Sequence, residues 1–124
     1  MDKSALVDDG SKLVRWLDKS KLKPRAAMWV YNSETDSWKL WIVPSSSVKD
    51  KREFYLELSN IISAHRDEIP SFDISSVEFK ADSHPAVKGL SAMLRMEELG
   101  SAHLSNNRYN GFSLPDGIVL RMAV

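Results

Sequence analysis

Apolar and polar positions along this chain switch between two periods, and the switches mark out its elements. From Ala26 to Val43 the period is two: Ala26, Met28 and Val30 alternate with Ala27, Trp29 and Tyr31, then Trp38, Leu40 and Ile42 alternate with Lys39, Trp41 and Val43. Both faces of both arms are largely apolar, which predicts a strand pair inside a sheet covered on one face and at least partly shielded on the other. The link from Asn32 to Ser37 is all polar and suits a hairpin loop. A register opposing Val30 with Leu40 or Trp38 groups Met28, Val30, Leu40 and Ile42 on one face. It leaves Trp29, Tyr31, Lys39 and Trp41 on the other. The register slipped by one residue would place Lys39 beside Met28 and Val30, and is rejected on that ground.

Elsewhere the period is helical. Leu6, Val7, Leu13, Val14 and Leu17 share a face over residues 4 to 19, with Asp8 and Asp9 toward the start, basic residues at the end and Pro24 beyond it. Gly10 argues against that helix by about 1 kcal/mol relative to alanine. A second stripe runs through Phe54, Tyr55, Leu58, Ile61 and Ile62, with Ser47 and Asp50 spaced as a capping pair and Pro70 closing it. Residues 75 to 81 alternate Val77, Phe79 and Ala81 with Ser76, Glu78 and Lys80, the mark of a strand with one wet face. Asp82-Ser83-His84-Pro85 is a helix start, Val87, Leu90 and Leu94 are the stripe behind it, and Gly100 is a natural stop. The tail reads as two or three short strands, broken at Asn106-Asn107 to Gly111 and at Pro115-Asp116-Gly117, with Ile118, Leu120 and Met122 facing one way at its end.

The element order is therefore αββαβαββ, with room for one extra strand. That predicts an α+β fold: three helices on a mixed, mostly antiparallel sheet of four to six strands. Each of the two strand-helix-strand segments could form a parallel crossover. Residues 1–124 should form a single domain, burying roughly 65% of the surface of the unfolded chain, which is enough for a core without staples.

Composition narrows the function classes. The absence of cysteine removes disulfides, thiolate metal centres and cysteine nucleophiles, and fits a cytoplasmic location. The N-terminal stretch has acidic residues and no long apolar run, so a signal peptide or membrane anchor is not expected, nor is a membrane partner. With 17 basic and 17 acidic residues there is no global attraction to nucleic acid.

Four local features could carry function. Trp29, Tyr31, Lys39 and Trp41 would form an aromatic interaction surface if no helix covered them; a covering helix is the plain alternative. Lys12, Arg15, Lys19, Lys21, Lys23 and Arg25 stand against Asp18 alone and could neutralise phosphates, although a solvated helix end explains them more simply. Glu78-Phe79-Lys80 matches the acid-x-lysine unit of metal-dependent nucleases, but the second acidic residue such a centre needs is not evident. Asn106, Asn107, Arg108 and Asn110 could line a ligand loop, or simply be turn residues. His65, His84 and His103 are too scattered for a metal site, so no metal or other cofactor is expected. The glycine fingerprints, serine elbow and zinc-helix motifs of common enzymes are absent, and no catalytic residue is assigned.

The segments LSNNRYNGFSLPDGIVLRM, AAMWVYNSETDSWKLWIV and GSKLVRWLDKS together resemble a group of small stand-alone bacterial α+β proteins. That resemblance implies a self-contained bacterial domain and carries over no activity. The leading expectation is a non-catalytic protein-interaction module, self-associating in its simplest version, acting through the aromatic side of the hairpin or a sheet edge. The alternatives are nucleic-acid binding by residues 12 to 25 and a metal-dependent nuclease built on Glu78 and Lys80.

Overall fold

The computed structural model describes residues 3–48, 50–69, 72–109 and 112–124, with the backbone alone for 106–109 and 112–115. The elements in chain order are α1 (Lys3–Asp18), β1 (Ala26–Asn32), β2 (Ser37–Val43), α2 (Lys51–Ala64), a single 3-10 turn (Ile74–Ser76), β3 (Val77–Phe79), α3 (Pro85–Met93), β4 (Ala102–Tyr109) and β5 (Phe112–Met122). The five strands form one sheet in the order β3-β2-β1-β5-β4. Only β2 and β3 run parallel; β1–β2, β1–β5 and β4–β5 are antiparallel. The fold is thus α+β, as the periodicity predicts.

The hairpin adopts the register that the sequence argument rejects. Trp29 opposes Leu40, Ala27 opposes Ile42, and Val30 opposes Lys39. Two apolar clusters follow, one on each side of the sheet. Ala27, Trp29, Leu40, Ile42, Ile118 and Leu120 pack under α1 and α2, against Leu13, Leu17, Phe54 and Leu58. Met28, Val30, Trp41, Val43, Val119 and Met122 pack under α3, against Ala86, Val87 and Leu90. Lys39 is tolerated on the α3 side because its long stem carries the ammonium to the sheet edge, where Nζ donates to the carbonyl of Ser75 at 2.8 Å.

Several boundaries move for identifiable reasons. Asp50, not Ser47, caps α2: its carboxylate accepts from the Glu53 amide at 2.7 Å. His84 caps α3, its Nδ1 accepting from the Ala86 amide at 3.1 Å, with Pro85 at the first helical position. The helix ends at Met93, well before Gly100, whose amide instead reaches the Leu120 carbonyl. Pro115-Asp116-Gly117 is not a turn, because β5 runs straight through it. Pro115 falls just past the last β1 pairing, Tyr31 with Asp116, so its missing N–H costs that ladder nothing. Gly117 lies where a side-chain carbon would stand 3.1 Å from the Trp29 carbonyl. The register of β1 with β5 shifts between Ala27 and Met28, so the intervening residue of β5, Leu120, is bulged. That bulge sends Ile118 and Leu120 to the α1 side and Met122 to the α3 side, against the simple alternation expected. Of the two possible crossovers, β2-α2-β3 is parallel; α3 instead carries the chain from one edge of the sheet to the other.

Candidate functional site

The four hairpin residues expected to make one aromatic surface are divided between the two faces. Trp29 is 3% exposed beneath α1, and its Nε1 donates to the Leu6 carbonyl at 2.8 Å. Trp41 is 7% exposed on the opposite side, with Lys80 Nζ 4.5 Å from its ring centroid and the His84 ring 5.2 Å away. Lys39 shares that second side and is committed to Ser75. Tyr31 shares the Trp29 side but lies at the end of the strand, half-buried, its ring 5.3 Å from that of Trp38. The hairpin aromatics are therefore mainly core, and the surface expected from Trp29, Tyr31, Lys39 and Trp41 does not form.

The basic segment is also dispersed. Lys12, Arg15 and Lys19 are exposed along one face of α1, and Lys23 is exposed beyond it. Lys21 sits near Glu53 and Glu57 of α2, and Arg25 pairs with Asp82 while donating to the Pro44 carbonyl. Asp18 is held by Arg121 through two hydrogen bonds of 2.6 and 3.0 Å. Glu78 and Lys80 lie 3.2 Å apart as an ion pair beside Trp41. Among the described residues, no three histidine, aspartate or glutamate side chains are grouped to hold a metal ion. Asn106, Asn107 and Arg108 lie within β4, a strand rather than the expected turn, and Asn110 lies outside the described residues.

What sequence reasoning missed is a cleft of about 300 Å³ at one end of the α1-covered side. Leu6 and Asp9 contribute from α1, Trp29 from β1, Asp36, Ser37 and Trp38 from the hairpin turn and β2, and Phe72 and Ser76 from the approach to β3. Leu6, Trp29 and Phe72 are buried and form its floor, the two rings lying 5.9 Å apart. Asp9, Ser37, Trp38 and Ser76 are partly exposed, and Asp36 is open to solvent. The cleft exists because α1 covers Trp29 while Trp38, on the same side of the sheet, is left half-buried at the strand end.

Asp36 adopts a positive φ of 49° in the turn, a conformation an aspartate tolerates better than most residues. Its Oδ1 accepts from the Tyr31 hydroxyl at 2.5 Å. That hydrogen bond, with desolvation and the charges of Asp36 and Asp116, pushes the Tyr31 phenol above its ordinary value, so it stays a donor. Among the described residues, two carboxylates and no basic side chain line the cleft. Chemically it can take an apolar stem against its aromatic floor and a hydrogen-bond donor at its rim. The one sequence signal was the acid-bearing hairpin loop, but its distance from Asp9 and Phe72 along the chain hides the convergence.

No protein-family model, curated protein or solved structure matches this chain. No described helix is long and apolar enough to cross a membrane.

Proposed function

We propose that this chain is a non-catalytic binding module that docks a protein partner at the cleft between α1, the β1–β2 turn and residues 72–76. The observation that carries this reading is the cleft itself, a concave site with a buried aromatic floor and a polar rim. Such sites are where binding energy concentrates, because a side chain inserted against preformed aromatic walls loses water without requiring the host to rearrange. A volume of about 300 Å³ is at the small end of ligand pockets, and suits one inserted side chain better than a cofactor.

The test is selection of displayed random peptides on the folded protein, followed by mapping of the best binders through amide and indole NMR shifts. Perturbations centred on Asp36, Trp38 and Ser76, lost on Trp38→Ala, are the expected result. Binders that map to another face, or a selection that enriches no peptide, overturn the reading. In a self-associating version the partner is a second copy, and light scattering then reports a dimer that Trp38→Ala reduces to monomer.

A further inference from the structure

We infer that the side chain taken by this cleft is a cationic one, a lysine or arginine of the partner protein; the inference rests on the cleft being the docking site. Three features converge on a positive charge carried by an apolar stem. The floor of Leu6, Trp29 and Phe72, with Trp38 beside it, offers hydrocarbon and π surface to methylenes. The rim supplies two carboxylates, Asp9 on α1 and Asp36 on the hairpin turn. They belong to elements 27 positions apart in the chain and converge only through the packing of α1 on β1.

Asp116 strengthens the negative field at this end. It pairs across from Tyr31 in the β1–β5 ladder, and its charge contributes to holding the phenol protonated. Tyr31 occupies one oxygen of Asp36 and fixes that carboxylate, leaving the second oxygen as an acceptor. A bound ammonium or guanidinium would meet charge-assisted acceptors and aromatic rings together, each of which favours a cation.

Other occupants fit worse. An anion would be repelled by Asp9 and Asp36; the basic groups nearest this wall, Arg66 and Lys39, are committed to the carbonyls of Phe72 and Ser75 and share the charge of Asp73. A wholly apolar side chain would fill the floor but remove water from the two carboxylates without replacing their hydrogen bonds. Charge complementarity therefore selects the basic side chain.

The experiment uses three acetylated and amidated tripeptides, Gly-Lys-Gly, Gly-Arg-Gly and Gly-norleucine-Gly, titrated into the full chain while the Trp38 indole resonance is followed. The lysine and arginine peptides should saturate, on the order of millimolar, and bind roughly fivefold or more tightly than the norleucine peptide. Asp9→Asn together with Asp36→Asn should bring the charged peptides down to the norleucine level, and Asp9→Asn alone should do so in part. Asp8→Asn, which removes one charge from the same helix outside this cleft, should change nothing. Raising salt should weaken the charged peptides selectively. Norleucine binding as well as lysine overturns the cationic specificity while leaving the cleft as the docking site. If no peptide moves the Trp38 indole, both readings fall.

Discussion

Gly10 of α1 lies directly against Trp29 of β1: a methyl group on Gly10 would stand 2.7 Å from the indole Nε1 and 2.7 Å from Cδ1 of Leu120. The helix can approach the sheet this closely only without a side chain, and the approach is what lets the indole reach the Leu6 carbonyl. Glycine inside a helix ordinarily costs about 1 kcal/mol relative to alanine. Here the sign should reverse. Gly10→Ala should destabilise by about 1–3 kcal/mol in urea unfolding, because Trp29 is hydrogen-bonded and enclosed and cannot yield as easily as Leu120. A stabilised variant would show that the helix shifts at no cost.

The α2 cap gives a paired comparison. Asp50→Ala removes the acceptor for the Glu53 amide and should cost about 1 kcal/mol. Ser47→Ala, at the position the sequence spacing also nominates, should remain within about 0.5 kcal/mol of wild type. Equal losses in denaturant midpoint would contradict the assignment of the cap.

Arg121 and Asp18 join β5 to the end of α1 through two charge-assisted hydrogen bonds, and Arg121 also donates to the Pro24 carbonyl. The guanidinium is largely buried and its Nε has no hydrogen-bond partner among the described residues, so it depends heavily on Asp18. Asp18→Asn should lose about 1–2 kcal/mol, discounted because the carboxylate is partly exposed. In an Arg121→Met background the same change should cost close to nothing, and a double-mutant cycle measures the difference.

His84 makes stability depend on pH. Its Nδ1 must be unprotonated to accept from Ala86, and burial, followed by the charge of Lys80, lowers its pKa below the ordinary 6.5. Below about 6.5 the unfolded chain therefore binds more protons than the folded one, and folding stability falls as pH drops through that value toward the lowered folded pKa. His84→Asn keeps a capping acceptor without a proton equilibrium, and should flatten the loss between pH 7 and 5 relative to wild type. An unchanged pH slope in that variant would assign the loss to other groups.

The sequence was informative where a pattern is local and repetitive. The stripes of α1 and α2, the hairpin arms and the Pro85 helix start all lie where the periodicity places them. It failed where a single residue carries a long-range constraint. Lys39 looked incompatible with an apolar face because its alternation places the Cβ, whereas its ammonium reaches Ser75 at the sheet edge. Leu120 broke the alternation of β5 through a bulge that only the pairing with β1 reveals. Gly10 read as a weakness in α1 and is a close contact. The cleft was invisible for the same reason: Asp9, Asp36 and Phe72 are ordinary in their own segments and meet only in three dimensions.

Strand order has a consequence for assembly of the molecule. The two neighbours of β1 come from opposite directions in the chain: β2 follows after a short turn, while β5 arrives roughly ninety residues later. During synthesis the β1–β2 hairpin can therefore close early, yet one side of β1 keeps its amides and carbonyls open until β5 has been made. An apolar strand of the sequence AAMWV held in that state is an invitation to pair with another chain. Slowing translation after β3 should raise aggregation of this protein more than slowing it before β1, and a supplied peptide spanning residues 117–122 should relieve it.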